Sequence, residues 1–256
     1  MSRDRHIPFE GATNFRDLGG YPTRDGGSTR WGVVYRSDGL QALTDDDIVR
    51  FRSLGVRVVY DLRRDDEREV RPNRVDSLDF CVMTPASQAG APPIDISSAG
   101  DERGGEQLLR AIYRDMLVYS GRVIGTMFSG LSSPPGVPAV FHCHAGKDRT
   151  GVVAALLLTA LRVPRDVVLD DFELTARYRL REHQSESLER MVDRGMVMEA
   201  AVGMLGAPRW AMAETLEQLD DQFGGIDDYL LGLGGLDADT LARLRAHLVE
   251  IAEPTS

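Results

Sequence analysis

A cysteine and an arginine frame a short loop in the run HCHAGKDRTG, with Cys143 near its start and Arg149 near its end. The run follows the apolar strand pattern PAVFHC and leads into the helix pattern TGVVAALLLTAL. Five residues separate the cysteine from the arginine, so the loop can curl until its backbone N–H groups point to a common centre. These groups add to the unpaired N–H groups and positive dipole end of the following helix. The spacing therefore predicts a cup for a dianionic phosphoryl group.

Three side chains of the run suit chemistry on such a phosphoryl group. The field of the cup stabilises a thiolate, so Cys143 is predicted to be the nucleophile that forms a phosphocysteine intermediate. Arg149 can present its planar fork to two phosphoryl oxygens and hold them as charge spreads in the transition state. Thr150 can place a hydroxyl near the sulfur and stabilise it as a leaving group when water attacks. The residues predicted to bind the phosphoryl group are His144, Ala145, Gly146, Lys147 and Thr150, with Lys147 adding positive charge at the rim.

The leaving oxygen needs a proton, and two carboxylic acids can supply it. Asp148 lies inside the loop, whereas Asp61 lies at the end of the strand pattern VRVVYDL. That end of the strand belongs to the carboxyl edge of the expected sheet, where ligands gather. We favour Asp148 as the donor, while Asp61 either shares the role or positions Arg149 through an ion pair. The sequence leaves this choice open.

Other interpretations of the run fit less well. A buried structural cysteine would not explain the arginine, glycine, threonine and helix start that follow it. Neighbouring residues of the run HCH point to opposite faces of a strand, and no second CxxC or HxxxH partner accompanies them, so we predict no metal. A nucleotide-binding P-loop needs glycine where this chain has Phe141 and serine or threonine where it has Asp148. We therefore predict no cofactor, and we interpret His142 and His144 as hydrogen bonders that shape the loop.

The composition limits the class of protein and its partners. The chain has 256 residues, of which 42% are hydrophobic and 27% charged, so we expect one folded domain covering residues 1–256. The formal net charge of −10 disfavours nucleic acids and anionic membrane surfaces as partners. Lys147 is the only lysine in the chain, and it falls inside the run.

The two cysteines and the hydropathy pattern bear on the cellular compartment. Cys81 and Cys143 are too few for a disulfide scaffold or a thiolate zinc site. We interpret Cys81 as an inert core thiol, with a protective disulfide to Cys143 after oxidation as the alternative. No apolar stretch reaches the about 20 residues that cross a bilayer, and the N-terminus is polar. We expect a cytoplasmic protein without stable membrane insertion, with export lacking a signal peptide as the alternative.

Strand and helix patterns alternate around the run. Strands are predicted in RWGVVYRSD, VRVVYDL, DFCVMTP and PAVFHC, and helices in a segment capped by Thr44, in EQLLRAIYRDMLVYS, in RVIGTMFSGL and in TGVVAALLLTAL. The Gly/Ser/Pro-rich stretch 86–105 is predicted to be a mobile loop. This order predicts an α/β fold with a central, mostly parallel sheet flanked by helices. The last third contains four helical segments and no strand signal: DVVLDDFELTARYRL, SESLERMVDRGMVMEAAVGML, WAMAETLEQLDDQF and DTLARLRAHLVEI.

Four further motifs lie before and after the run. They are NFRDLGGYPT at 14–23, VVYRSDGL at 33–40, LTDDDIVRFRSLGVRVVYDLRRDDERE at 43–69 and VVLDDFELTARYR after the loop. Together with HCHAGKDRTG, and in this order, they resemble the mycobacterial PtpB family of atypical bacterial protein tyrosine phosphatases. The similarity extends over most of the chain, so it concerns the whole fold as well as the loop.

The resemblance implies both a fold and a reaction. It implies a dual-specificity-phosphatase-like α/β fold, with Cys143 as the nucleophile and Arg149 as the phosphate binder. It also implies metal-independent hydrolysis of phosphotyrosine, with phosphoserine, phosphothreonine and phosphoinositides as further candidate substrates, and no separate mobile loop that carries the acid. Because Lys147 beside Asp148 is shared in type with lipid-acting members of the wider superfamily, a phosphoinositide-preferring lipid phosphatase is the alternative. The helices at 183–224 correspond in position to a lid of the family, with ordinary core packing as the other interpretation.

Two functions from other classes compete with this one. A rhodanese-like sulfurtransferase also holds a cysteine in a cupped loop, but it handles a persulfide. A non-catalytic phosphate-recognition module would not need a thiolate. The expected partner is therefore a phosphorylated protein or phosphoinositide substrate, and the sequence does not indicate an oligomeric state.

Overall fold

A five-stranded sheet forms the centre of the computed structural model, which describes residues 4–75, 82–85, 95–178 and 181–251. In spatial order its strands are Arg16–Asp17 (β1), Val34–Ser37 (β3), Ala139–His142 (β6), Val58–Asp61 (β4) and Val82–Pro85 (β5). A second, two-stranded sheet pairs Gly27–Thr29 (β2) with Val249–Ile251 (β7). Cys81 lies outside the described residues, so both interpretations of that thiol stay predictions.

Ten α-helices occur within the described residues. They are Asp45–Ser53 (α1), Asp65–Val70 (α2), Glu102–Leu131 (α3), Asp148–Ala160 (α4), Arg165–Tyr178 (α5), Arg181–Asp193 (α6), Met198–Leu205 (α7), Arg209–Phe223 (α8), Ile226–Leu231 (α9) and Ala238–Leu248 (α10). Single turns of 3₁₀-helix lie at Ile96–Ser98 and Pro134–Gly136. In the part of the chain that the structure describes, no helix combines the length and apolarity needed to cross a membrane.

The strand pairing places the end of β6 between two neighbours. Strands β3, β6, β4 and β5 run parallel, and β1 is an antiparallel edge strand. His142 at the end of β6 is in register with Ser37 of β3 and with Asp61 of β4. Cys143 therefore leaves the sheet at its carboxyl edge, where open α/β sheets bind their ligands. The predicted mixed α/β fold with a central sheet flanked by helices is confirmed.

Helices cover both faces of the sheet because strand residues alternate in direction. Val140 of β6 belongs to an apolar cluster with Phe51 of α1, whereas Ala139 and Phe141 belong to the larger cluster on the other face. That larger cluster contains most of α4, which is buried nearly all round as its apolar sequence predicts. The start of α4 is therefore fixed in position directly after the loop that begins at Cys143.

One 30-residue helix, α3, replaces the two helices predicted on either side of Gly121. A Cβ atom on Gly121 would lie 2.8 Å from Leu233 Cβ, and one on Gly125 would lie 2.0 Å from Gly234 O. Glycine at these positions permits the close approach of the chain around residue 234 and does not end the helix. The prediction of two helices was wrong because a packing position was interpreted as a break.

Helix α3 also begins earlier than predicted. Asp101 caps it through Gly104 N, so residues 102–105 are helical and not part of a mobile loop. Gly105 lies against α7, since a Cβ there would be 2.1 Å from Ala200 O. Residues 86–94 of the predicted loop lie outside the described residues.

The C-terminal third divides into two packing units. Helices α6 and α7, which separate around Gly195 (φ +92°), form a small apolar cluster with the start of α3. Helix α8 instead contributes buried side chains to the larger cluster against the sheet: Ala211, Met212, Leu216 and Leu219. The expectation of no strand in this region was wrong, because the short segment Val249–Ile251 pairs with β2.

Candidate active site

Asn14 and Arg36 hold one peptide group of the loop between Cys143 and α4. Both side chains donate to the Gly146 carbonyl, from Asn14 Nδ2 and from Arg36 Nη2, each at 3.0 Å. Gly146 has a φ of +63°, and a Cβ there would lie 2.7 Å from Ser37 O, so glycine is required for both conformation and space. Because the C=O and N–H of a trans peptide point in opposite directions, this clamp directs the N–H of Lys147 away from Asn14 and Arg36.

Two further loop carbonyls are held in the same way. His142 Nδ1 lies 3.0 Å from the Cys143 carbonyl oxygen, and Gly39 N donates to the His144 carbonyl at 3.1 Å. The following N–H groups, those of His144 and Ala145, therefore lie on the opposite side of the chain. Several N–H groups pointing to one side are what an anion-binding loop requires.

His142 supports the loop as a neutral imidazole. Burial lowers the pKa of His142 below its ordinary value, although the nearby carboxylate of Asp61 acts in the opposite direction. A carbonyl oxygen only accepts, so Nδ1 carries the proton and donates to Cys143. The other ring nitrogen, Nε2, then accepts from Asn73 Nδ2 at 3.3 Å.

Asp171 of α5 joins two buried arginines next to the loop. Its carboxylate lies 3.0 Å from Arg16 Nε and 2.6 Å from Arg36 Nη1, and it accepts from the Tyr21 hydroxyl at 2.8 Å. Burial alone would raise the pKa of Asp171, but Arg16 and Arg36 outweigh burial and hold that pKa well below its usual range. Burial lowers the pKa of Arg36 to about 10, so this arginine is charged at neutral pH. Two cations and one anion leave one positive charge beside Gly146.

The supporting roles of Arg16, Arg36 and Asp171 were not predicted from the sequence. Arg16 and Asp171 are separated by 155 positions, and Arg36 and Asp171 by 135 positions, so no local spacing links them. The available signal was the presence of charged side chains in the motifs NFRDLGG, VVYRSDGL and VVLDDFELTARYR. The structure shows that these motifs meet at the loop.

Arg149 is held by a carboxylate that the sequence did not indicate. Its Nη1 and Nη2 donate to Glu67 of α2 at 2.6 and 2.9 Å, and Nη1 also donates to Leu62 O at 3.1 Å. Burial alone would raise the pKa of Glu67, but Arg149 outweighs burial and lowers that pKa to about 2. A guanidinium has five N–H groups. The Nε–H and one Nη2–H of Arg149 then have no partner among the described residues. These two groups lie on the same edge of the guanidinium.

Asp61 does not pair with Arg149. Its carboxylate accepts from Arg63 Nη2 at 2.6 Å, from Arg63 Nε at 2.9 Å and from Asn73 Nδ2 at 2.9 Å. Burial alone would raise the pKa of Asp61, but the bonds from Arg63 outweigh it and hold that pKa below its ordinary value. The ion pair with Arg149 that was offered for Asp61 is therefore corrected: Glu67 makes that pair. Asp61 is an ionised anchor of Arg63 at the end of β4.

Asp148 is the first residue of α4 and is partly open to solvent. Its side chain is 32% exposed. The Tyr113 hydroxyl of α3 donates to Oδ1 at 2.8 Å, and Lys147 Nζ lies 3.3 Å from the same oxygen. Of the two acids predicted from the sequence, Asp148 is the one that combines a position in the loop with access for a ligand.

Lys147 and His144 contact the helices that follow α5. Lys147 is buried, and its Nζ donates to the Met204 carbonyl of α7, so it does not lie on an open rim as predicted. Arg190 of α6 donates to His144 Nε2. Burial, together with the charge of Arg190, lowers the pKa of His144 to about 4, so the imidazole is neutral at neutral pH. Both residues thus connect the loop to α6 and α7.

Cys143 and Thr150, at the two ends of the loop and the start of α4, are both buried. Cys143 is only 2% exposed, and Thr150 is fully buried. The Thr150 hydroxyl oxygen has no hydrogen-bond partner among the described residues. A buried, unpaired hydroxyl costs about 1–3 kcal/mol, so its retention calls for an explanation. No cluster of three or more His, Cys, Asp or Glu side chains in the described parts of the chain could hold a metal ion.

This geometry is that of a cysteine-dependent phosphatase: a buried cysteine begins a loop whose carbonyl groups are held by neighbouring residues, and an arginine follows at the start of a helix. Comparison with protein families gives the same answer, because residues 7–250 match the tyrosine phosphatase family. The chain therefore belongs to the tyrosine phosphatase family and is a protein-tyrosine phosphatase. The predicted family and enzyme class are confirmed.

Three bacterial proteins are similar in sequence to this chain over most of its length. A Cupriavidus necator protein that carries a tyrosine-protein phosphatase name is 29% identical over 95% of this chain and 88% of its own length. The triple specificity protein phosphatase PtpB of Mycobacterium tuberculosis is 28% identical over 96% of this chain and 99% of its own length. A tyrosine-protein phosphatase of Nostoc commune is 29% identical over 78% of this chain and 68% of its own length.

Proposed function

We propose that this phosphatase hydrolyses phosphotyrosine in proteins through a phosphocysteine intermediate on Cys143. The observation that carries the proposal is the unsatisfied donor set around the cysteine. The Thr150 hydroxyl and two N–H groups of Arg149 have no partner among the described residues, although both side chains are fixed by their surroundings. A phosphoryl group bonded to sulfur supplies acceptors to these donors.

In the first step the Cys143 thiolate attacks phosphorus, so an S–P bond forms while the P–O bond to the tyrosyl oxygen breaks. Arg149 holds two phosphoryl oxygens through its Nε–H and Nη2–H edge, and Glu67 fixes the opposite edge. The loop N–H groups of residues 144–147 bind the remaining charge. All these donors are in place before the reaction, so little reorganisation accompanies it.

Asp148 is assigned as the general acid. Protonated Asp148 gives its proton to the tyrosyl oxygen as that oxygen leaves, which yields tyrosine and a carboxylate. Asp61 is not assigned this role, because Arg63 and Asn73 occupy its carboxylate and it is buried away from solvent. The environment of each acid therefore supports Asp148 over Asp61 in the choice that the sequence left open.

In the second step water attacks the phosphocysteine. The Asp148 carboxylate accepts a proton from this water as the S–P bond breaks, so phosphate leaves and the acid is restored. The Thr150 hydroxyl donates to the departing thiolate of Cys143, which accounts for a buried hydroxyl that is otherwise unpaired. The nucleophile and the acid both return to their starting protonation states.

Phosphotyrosine is the preferred substrate class in this proposal, with phosphoserine and phosphothreonine as further substrates on a dual-specificity-like fold. The triple specificity in the name of the Mycobacterium tuberculosis relative supports the wider range. Phosphoinositides are less favoured, because the Nζ of Lys147 is bonded to Met204 O and lies near Asp148. A lysine engaged in this way does not offer a free charge to an inositol phosphate.

A helical lid forms part of the proposal, and it consists of α6 and α7 within a single domain. These helices have their own small apolar cluster, and they contact the loop at His144 and Lys147. Helix α8, which lay inside the lid range expected at 183–224, belongs to the main core and is not part of the proposed lid. Replacing Arg190 with Gln is expected to speed the alkylation of Cys143 by iodoacetamide, whereas the exposed neighbour Arg194→Gln leaves the rate unchanged.

The proposal is tested by hydrolysis of p-nitrophenyl phosphate, phosphotyrosyl and phosphoseryl peptides, and phosphoinositides. Cys143→Ser should lose on the order of a thousandfold or more of kcat on every active substrate, while Cys81→Ser, the same change at the other cysteine, retains activity. Chelation by EDTA should have no effect. Activity that survives Cys143→Ser, or phosphoinositide turnover above that of phosphotyrosyl peptides, would contradict the proposal.

A further inference from the structure

Tyr113 of α3 contacts Asp148, the first residue of α4. Its hydroxyl donates to Asp148 Oδ1 at 2.8 Å, and the side chain is buried, with 1% of its surface exposed. The ring packs edge-on against Phe172 of α5, with centroids 6.3 Å apart and an angle of 87° between the planes. Two helices therefore fix the direction of this hydroxyl.

The hydroxyl of Tyr113 is a permanent donor. Burial raises its pKa well above the ordinary value, and the neighbouring charges of Asp148 and Cys143 act in the same direction. Tyr113 is therefore protonated throughout the working range of a phosphatase. It therefore cannot act as a base, and it cannot take up the proton of Asp148.

Lys147 meets Tyr113 at the same carboxylate oxygen. Its Nζ lies 3.3 Å from Asp148 Oδ1, the atom that already accepts from the Tyr113 hydroxyl. A carboxylic acid has two oxygens, and in the protonated form the proton sits on only one of them. Since the hydroxyl donates to Oδ1 and the ammonium lies near the same oxygen, the proton of the acid form belongs on Oδ2.

We infer that Tyr113 is a positioning residue for the general acid, which holds Oδ1 of Asp148 and thereby assigns proton transfer to Oδ2. This inference rests on the proposed role of Asp148. When the P–O bond breaks, the proton moves from Oδ2 to the leaving oxygen, and the new negative charge is stabilised by the hydrogen bond from Tyr113 to Oδ1 and by the nearby Lys147 ammonium. When water attacks the phosphocysteine, Oδ2 takes up a proton and the cycle closes.

Tyr113→Phe tests the inference, since it removes one oxygen and keeps the ring against Phe172. Tyr229→Phe is the matched control: Tyr229 is equally buried, and its hydroxyl donates to Leu117 O of the same helix α3 at 2.8 Å. Both variants are assayed on phenyl phosphate, whose leaving group needs a proton, and on p-nitrophenyl phosphate, whose leaving group needs it less. Thermal unfolding shows that each variant is folded at the assay temperature.

The expected result is a selective loss on the poor leaving group. Tyr113→Phe should lower kcat/KM for phenyl phosphate roughly tenfold or more and that for p-nitrophenyl phosphate by less than about threefold, because a hydrogen bond to a charged group is lost. Tyr229→Phe should leave kcat/KM unchanged for both substrates. Adding Tyr113→Phe to Asp148→Asn should cause no further loss, since the acid that it positions is already absent.

The assignment of Asp148 as the acid and the inference about Tyr113 can be contradicted separately. If Asp148→Asn slows both substrates equally, Asp148 is not the acid and the proposed mechanism is wrong. If Asp148→Asn is selective for phenyl phosphate but Tyr113→Phe is not, or if the two losses add, the acid assignment stands and the inference about Tyr113 is wrong.

Discussion

Both carboxylate oxygens of Glu67 accept hydrogen bonds from Arg149, with Oε2 2.6 Å from Nη1 and Oε1 2.9 Å from Nη2. This pair joins helix α2 to the start of α4, although the two residues are separated by 82 positions. It fixes the plane of the guanidinium and leaves the Nε–H edge for the phosphoryl group. The position of the arginine is thus set before any substrate arrives.

Glu67→Gln should weaken catalysis without unfolding the protein. The amide can accept only one of the two bonds and lacks the charge, so Arg149 gains freedom and kcat/KM for p-nitrophenyl phosphate should fall roughly tenfold to a hundredfold. Glu69→Gln, an exposed position on the same helix, is the control and should behave like wild type. Steady-state kinetics of the three proteins decide the matter, and equal activities would show that Arg149 does not depend on Glu67.

Asp171→Asn should destabilise the fold strongly. The change leaves the buried cations Arg16 and Arg36 without their shared anion, and breaking a buried pair in this way costs about 3–5 kcal/mol. The neighbouring Asp170→Asn changes an exposed carboxylate that pairs with Arg209 and should cost less than about 1 kcal/mol. Urea unfolding measures both, and similar losses for the two variants would argue against the buried cluster.

Gly146→Ala should impair activity far more than stability. Gly146 and Gly55 have nearly equal φ angles of +63° and +66°, so alanine at either position meets the same backbone strain of about 1–2 kcal/mol. A Cβ on Gly55 meets nothing within 4 Å, whereas one on Gly146 would lie 2.8 Å from Asn14 Nδ2. Gly146→Ala should therefore lower kcat/KM on the order of a hundredfold, with Gly55→Ala near wild type. Comparable activities would show that the clamp on the loop is unimportant.

His144 should make the protein less stable as the pH falls. Its pKa is about 4 in the folded protein and 6.5 ordinarily, so the unfolded chain binds the extra proton first. The contribution of neutral His144 is complete above about pH 6.5, decreases as the pH falls from about 6.5 to about 4, and changes no further below that. Wild type should thus lose more thermal stability over this window than His144→Gln.

The control for this pH dependence is His247→Gln in α10, far along the chain from the loop. Its melting temperature should follow wild type across the same window. A His144→Gln curve parallel to wild type would show that His144 is not held neutral by burial and by Arg190.

The local parts of the site could be predicted from sequence because neighbouring residues create them. The five residues between Cys143 and Arg149 place both in one short loop. The strand before this loop and the helix after it have clear apolar patterns. The cap of α1 was predictable for the same reason: Thr44 and Asp47 exchange hydrogen bonds within one turn.

The supporting partners could not be predicted, because they depend on how distant elements pack. Glu67 lies in the acidic run RRDDERE, where no pattern distinguishes it from Asp65, Asp66 or Glu69. Tyr113 was one apolar position among many on a long helix. Gly121 was interpreted as a helix break, although Leu233 packs directly against it.

The central claim is that Cys143 carries the phosphoryl group, and it is tested by trapping the intermediate. The enzyme is mixed with a radiolabelled phosphotyrosyl peptide, quenched in acid within milliseconds and digested, and the labelled fragment is sequenced by mass spectrometry. The account predicts label on Cys143 in wild type and in Cys81→Ser, and no label in Cys143→Ser. Label on another side chain, or turnover with no covalent label under any quench time, would contradict it.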